Sequence, residues 1–180
     1  MHNSKIFILS ETHHFRMNLK NIFLLDINLA WKSITLLALL AILPNFFGMI
    51  NISTPWGFKI HTFQYLIFLA AIIYGPIGGF VSGAIGSLFT AISLNNPYVM
   101  VGNIILGFSV GILTRLNWNI ILSVLTAYLI QLPWLYYSDV YLANMPVSIV
   151  QGLIFALFLS NLLWAGVALM TYKPIKNTIL

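Results

Sequence analysis

The chain has 180 residues, of which 60% are hydrophobic and 6% are charged. Soluble domains carry about 25% charged residues, so this composition excludes a water-soluble globular domain and points to an all-α integral membrane protein. The absence of cysteine excludes disulfides, thiolate catalysis and cysteine metal sites, and the net charge of +5 comes from Lys and Arg scattered near the ends of apolar runs, not from a basic patch for nucleic acid.

The charge-free runs 33–58, 60–114, 116–138 and 140–172 are each long enough for one or two spans of about 20 residues. They predict one six-helix membrane domain over 33–172, flanked by tails at 1–32 and 173–180. The first tail is the most polar part, and within it Phe15, Leu19, Ile22 and Phe23 fall at helical spacing. It reads as a loose cytoplasmic segment followed by a short amphipathic helix at the membrane interface. It carries no pattern of basic end, short apolar core and small-residue cleavage site. His2, His13 and His14 have no acidic or cysteine cluster beside them, so solvated histidines explain them better than a metal site. No metal and no cofactor is expected.

The first span is predicted at 33–50, with a kink at Pro44 and a modest small face from Ala38 and Ala41. A loop containing Trp56 follows and is expected to fold back over the protein. The second span, 58–74, begins with Lys59 and His61 at the interface, carries Gln64 one turn inward and is stopped by Gly75-Pro76. The third, 77–94, and the fourth, 98–113, are joined by the polar turn Asn95-Asn96-Pro97. A fifth, 118–136, is bent by Pro133, and an outer loop through Tyr137, Asp139 and Asn144 leads to the sixth, 147–172.

Eight of the twelve glycines lie between Tyr74 and Gly111. Gly75, Gly79 and Gly83 recur every fourth residue, as do Ser82, Gly86 and Thr90, and Asn103, Gly107 and Gly111 repeat the pattern. Strips without bulky side chains let helix backbones approach closely in lipid, where packing and interhelical hydrogen bonds drive association. A glycine-rich buried hairpin of a soluble protein is the alternative, disfavoured by the apolar character of the remaining chain.

With the N-terminus inside, the cytoplasmic side holds Lys5, Arg16, Lys20, Lys32, Arg115, Lys173 and Lys176, and the outer side only Lys59. That asymmetry predicts both termini in the cytoplasm.

Polar side chains inside lipid are costly and usually face the bundle interior. At a rise of about 1.5 Å per residue, Asn103, Gln131 and Gln151 stand about 6–8 Å below the outer ends of their spans. Gln131, Trp134 and Ser138 share one face of the fifth span. With Trp56, Tyr98, Tyr137, Asp139 and Asn144 they are candidates for one outward-facing pocket, suited to a small neutral or weakly charged heterocycle held by amide hydrogen bonds and aromatic stacking. The competing reading makes the amides interhelical glue and the aromatics an interfacial belt. Asn161 and Trp164 read as packing contacts. His61 and Ser87 lack the orienting acid and the Gly-x-Ser context of a hydrolase, and no Walker A or His-Glu-x-x-His sequence is present. No enzyme activity is expected, nor a proton- or sodium-coupled carrier, because no intramembrane acid or inverted repeat is visible.

The segment GPIGGFVSGAIGSLFTAI from Gly75, the following NPYVMVGNIILGFSVGIL from Asn96, and the size and span count together resemble the substrate-binding S components of energy-coupling factor (ECF) transporters. The resemblance covers most of 33–172. The family's Ala-x-x-x-Ala contact on helix one is not reproduced strictly, since Ala38 and Ala41 are three residues apart. The resemblance implies a multi-pass protein of the plasma membrane that captures a vitamin or related micronutrient. It also implies docking on a transmembrane T subunit bearing two ATPases, with the pocket in the outer loops and the outer halves of helices four to six. A non-transporting membrane scaffold is the alternative from another class.

Overall fold

The computed structural model describes Phe23, residues 31–53 and residues 59–179. The rest of the expected N-terminal amphipathic segment and Trp56 lie outside the described residues. Helix α1 spans Trp31–Gly48, and a short antiparallel ribbon follows, β1 (Asn51–Ser53) and β2 (Lys59–His61), with Ile52 opposite Ile60. Then come α2 (Gln64–Gly86), α3 (Leu88–Ser93), α4 (Tyr98–Arg115), α5 (Ile120–Tyr137), a π-helical turn at Ser138–Leu142, and α6 (Val147–Ile179).

Five helical segments among the described residues are long and apolar enough to cross a membrane: Trp31–Gly48, Gln64–Ser93, Tyr98–Arg115, Ile120–Leu142 and Val147–Thr178. Their outward faces carry exposed Ile42, Phe46, Ile92, Leu122, Leu129, Phe155 and Leu163, a coat suited to acyl chains and not to water. The chain is an all-α multi-pass membrane protein apart from its small ribbon.

Helix α2 contains most of the second predicted span and the first part of the third, and Gly75 divides it with φ 77° and ψ −161°. On a straight helix Ile67 and Gly79 would stand about 18 Å apart. Instead, a β-carbon on Gly107 would meet both the Gly79 carbonyl and, at 2.9 Å, the Ile67 side chain. A β-carbon on Gly78 would likewise fall 2.6 Å from the Ala70 carbonyl, eight residues back. The arms 64–74 and 76–86 therefore lie side by side, the chain reversing at Gly75-Pro76. Only glycine takes this φ without strain, and the Arg115 guanidinium occupies the space where a side chain would go, its Nε 2.8 Å from the β-carbon position.

Both small-residue strips of the second arm are used, on opposite sides. Gly79 packs on the Gly107 carbonyl, Gly83 on the Asn103 carbonyl, and Pro76 stands 2.5 Å from the β-carbon position of Gly111, so the arm and α4 run antiparallel in steps of about one turn. The other strip faces α1: Ser82 Oγ donates to the Leu40 carbonyl at 2.6 Å, and a β-carbon on Gly86 would meet the Pro44 ring at 2.7 Å.

The third predicted span is interrupted. Ser87 leaves helical geometry with φ −98° and ψ 0°, and its Oγ donates to the Gly83 carbonyl at 2.6 Å. Asn45 of α1 bridges this break, donating from Nδ2 to the Ile85 carbonyl at 2.9 Å and accepting from the Phe89 N–H at 2.8 Å. That satisfies backbone groups that lipid could not.

Other boundaries move as well. Residues 59–61 are ribbon, and helix begins only at Gln64, where the second span was expected to be under way from residue 58. At the far end α6 runs through Pro174 to Ile179, whereas a tail was expected from residue 173; Tyr172 and Ile175 pack against the core and carry the helix on. Ala38 and Ala41 do not form one face. Ala38 is exposed between exposed Ile34 and Ile42, while Ala41 is buried, its carbonyl 3.4 Å from the β-carbon position of Gly86. Phe23 stacks on Phe108 of α4 with ring centroids 6.1 Å apart.

Candidate ligand cavity

The two ends of the bundle differ. Around the Gly75 reversal gather Arg115 and the start of α1, where Tyr74 Oη donates to the Ser33 carbonyl at 2.8 Å. The C-terminal half of α6 runs toward the same end alongside the first arm of α2, since the His61 N–H donates to Ser160 Oγ at 3.2 Å and, farther on, Tyr65 lies 5.8 Å from Trp164 by ring centroids and its hydroxyl 2.9 Å from Thr171 Oγ1. Among the described residues Lys32, Arg115, Lys173 and Lys176 belong to this end, and Lys59 alone to the other.

At the end with Lys59 lies a cavity of about 50 Å³. The ribbon and the residue after it supply His61 and Phe63; α3 and its continuation supply Thr90 and Leu94; and the first turns of α4 supply Tyr98, Val99, Gly102 and Asn103. The last turns of α5 supply Gln131, Trp134 and Leu135, the π-helical turn Ser138 and Asp139, and α6 Leu153 and Leu157. At roughly 10–15 Å³ per water-sized occupant, this space encloses a group of a few non-hydrogen atoms, below the ~300–1,000 Å³ of a pocket that swallows a whole ligand.

Local sequence explains why these groups meet. Asn95 adopts φ 49°, which asparagine tolerates better than most residues, and closes the turn into Pro97 at the start of α4. Asn96, buried there, accepts the Tyr98 N–H through Oδ1 at 3.1 Å and donates Nδ2 to Asp139 Oδ1 at 2.7 Å. The π-helical turn carries Ser138 and Asp139 inward at the end of α5, closed by the Ala143 N–H on the Ser138 carbonyl and the Met145 N–H on the Asp139 carbonyl. Extra-residue turns of this kind re-aim side chains and recur at functional sites. Trp134 Nε1 donates to the Tyr98 carbonyl at 3.2 Å, tying α5 to α4 beside the cavity. Asn103 Nδ2 donates to the Val99 carbonyl one turn back at 3.1 Å.

Of the sequence candidates, Tyr98, Asn103, Gln131, Trp134 and Asp139 line this cavity. Three others do not. Gln151 is exposed, because Val150, Leu153 and Leu157 are the residues of α6 that turn inward and Gln151 stands about 100° around the helix from Val150. The expected meeting of three amides is thus a meeting of two. Tyr137 is exposed with its ring 5.7 Å from Tyr141. Asn144 is exposed with φ 53°, ending the π-helical turn instead of holding a ligand. Sequence reasoning missed Asn96, read only as a turn residue, and His61, read as interfacial. Nothing in the sequence signalled Asn96, which lies 43 residues from the Asp139 it bonds.

Gln131 Oε1 is buried without a hydrogen-bond partner among the described residues. The same holds farther into the bundle for Asn161, whose two amide atoms are both unpartnered, and for Trp164 Nε1. Among the described residues no group of three or more His, Cys, Asp or Glu is placed to hold a metal ion.

Burial, and then the charge of Lys59, push the His61 imidazole below its ordinary value of 6.5. The folded chain therefore disfavours imidazolium, and the unfolded chain binds the extra proton first. Stability is full above pH 6.5 and declines as pH falls from there toward the lower folded value. A melting temperature measured from about pH 7.5 to about pH 5.5 should fall, and His61→Gln should flatten that slope. An equal slope in the variant would remove His61 as the cause.

No family model, no curated protein and no solved structure matches this chain.

Proposed function

We propose that this protein is the membrane-embedded binding subunit of an ECF-type importer, capturing a vitamin or related micronutrient from outside the cell. The observation that carries the reading is the cavity itself: polar acceptors and aromatic rings gathered at the end of the bundle that is poor in basic residues. Taking the two arms of α2 as separate crossings gives six spans, with the start of α1 and the end of α6 at the lysine- and arginine-rich end. Positive residues favour the cytoplasm, so the cavity opens outward at the plasma membrane. Among the described residues the Ser138 hydroxyl of the lining donates to the Leu135 carbonyl and not to His61 or Asp139, which suits the lining to holding a ligand. Energy for uptake would come from a T subunit and two ATPases, the T subunit meeting the outer face of α1 around Ala38.

Expression of the tagged full chain with the three partner subunits tests this directly. A stable complex should co-purify; Ala38→Leu should lower its yield while leaving the chain folded, whereas Ala41→Leu should destabilise the chain itself. A folded chain that captures none of the three subunits would favour a non-transporting membrane scaffold instead.

A further inference from the structure

The hydrogen bonds around the cavity have a direction. Asn103 donates to Val99, Trp134 to Tyr98, Asn96 to Asp139, and Ser138 Oγ to the Leu135 carbonyl at 3.3 Å. Each uses a donor within the protein. Each of the two asparagine amides keeps one further N–H, and what otherwise remains on these side chains is acceptor capacity: Asn103 Oδ1, the Ser138 hydroxyl oxygen and most of the Asp139 carboxylate, which offers about four lone-pair sites. Gln131 adds Oε1, buried and unpartnered among the described residues. Its amide nitrogen is turned toward α4, 3.2 Å from where a β-carbon on Gly102 would stand.

Charge points the same way. Asp139 is only 3% exposed, and its hydrogen-bond donor among the described side chains is the neutral Asn96. Among the described residues no lysine or arginine lines the cavity. A buried carboxylate without a positive partner is costly, and a cation arriving with hydrogen-bond donors relieves that cost. The lining aromatics Phe63, Tyr98 and Trp134 add rings whose faces attract cations and repel anions.

We propose that the cavity receives the protonated amine or amidine head of a small molecule, with Asp139 as its counter-charge and Gln131 Oε1 and Asn103 Oδ1 as acceptors for its N–H groups. This rests on the cavity being a ligand site, and it replaces the neutral or weakly charged heterocycle expected from sequence with a molecule that carries a cationic head. The enclosed volume fits such a head, with the remainder of the molecule at the mouth.

The test compares three probes of one shape on the purified full chain: benzylammonium, benzyl alcohol and benzoate, each by calorimetric titration. Benzylammonium should bind about tenfold or more tightly than the alcohol, and benzoate should not bind. Asp139→Asn keeps a carbonyl able to accept from Asn96 and should weaken benzylammonium about tenfold or more while leaving the alcohol unchanged. Should that variant fail to fold, Gln131→Met removes one acceptor at similar volume and should weaken the cation about fivefold. Binding of benzoate or the alcohol as tight as the cation, or indifference of benzylammonium to these substitutions, overturns the cationic head. So does silence of the folded wild type toward benzylammonium. Co-purification with the ATPases is read separately: a complex that forms without cation binding leaves the importer standing and removes this ligand class.

Discussion

Gly79→Ala should leave little folded protein. The added methyl group falls on the Gly107 carbonyl, a backbone group that cannot rotate away. Overpacking a core costs typically about 1–3 kcal/mol when side chains can yield, and here the arm and α4 would have to separate along their length, so the loss should reach about 3 kcal/mol or more. Gly83→Ala, which meets the Asn103 carbonyl, should behave similarly. The control is Gly166→Ala in α6, where nothing stands within 4 Å of the new atom. That change should be neutral, or stabilise by up to about 1 kcal/mol through helix propensity. Melting temperatures and size-exclusion profiles in one detergent compare them, and a Gly79→Ala protein that melts with the wild type would refute the close packing of these strips.

The second large effect is expected in binding. Gln131→Ala removes a buried acceptor from the cavity, and Asn103→Ala another, so each should weaken the ligand by on the order of 1–3 kcal/mol, about 5- to 150-fold. Trp134→Ala should do the same by removing an aromatic wall and the bond that ties α5 to α4. Gln151→Ala should change nothing, since that side chain lies outside the cavity. Affinity and melting temperature measured together on the four variants separate a binding role from interhelical glue. Glue would appear as lost stability at unchanged affinity, near 0.6 kcal/mol per bond. A Gln151→Ala protein with affinity as poor as Gln131→Ala would move the site off this cavity.

What the sequence determined by itself is what depends on composition and on short spacing. Sixty per cent hydrophobic residues in charge-free runs require helices in a membrane, because lipid offers backbone groups no other partner. The four-residue glycine period marks close packing because only missing side chains let backbones touch. The Gly75-Pro76 reversal and the Asn95 turn were legible for the same local reason: glycine at φ 77° and asparagine at φ 49° tolerate what other residues resist.

Only the tertiary structure decided which strip meets which helix and which polar groups meet each other. Gly79 and Gly83 took α4, and Ser82 and Gly86 took α1, a choice that rests on the opposing backbones. Gln151 and Gln131 look alike in sequence, each an amide near the outer end of an apolar span. Rotation of about 100° per residue about α6 turned one outward while α5 turned the other in. Asn45 gave no signal either, because the helix break it bridges is forty residues away. The bond from Asn96 to Asp139 joins residues 43 positions apart. Spacing along one chain carries no information about such a pair. Depth can be counted from sequence, but the azimuth of a side chain is set by the neighbours that its helix packs against.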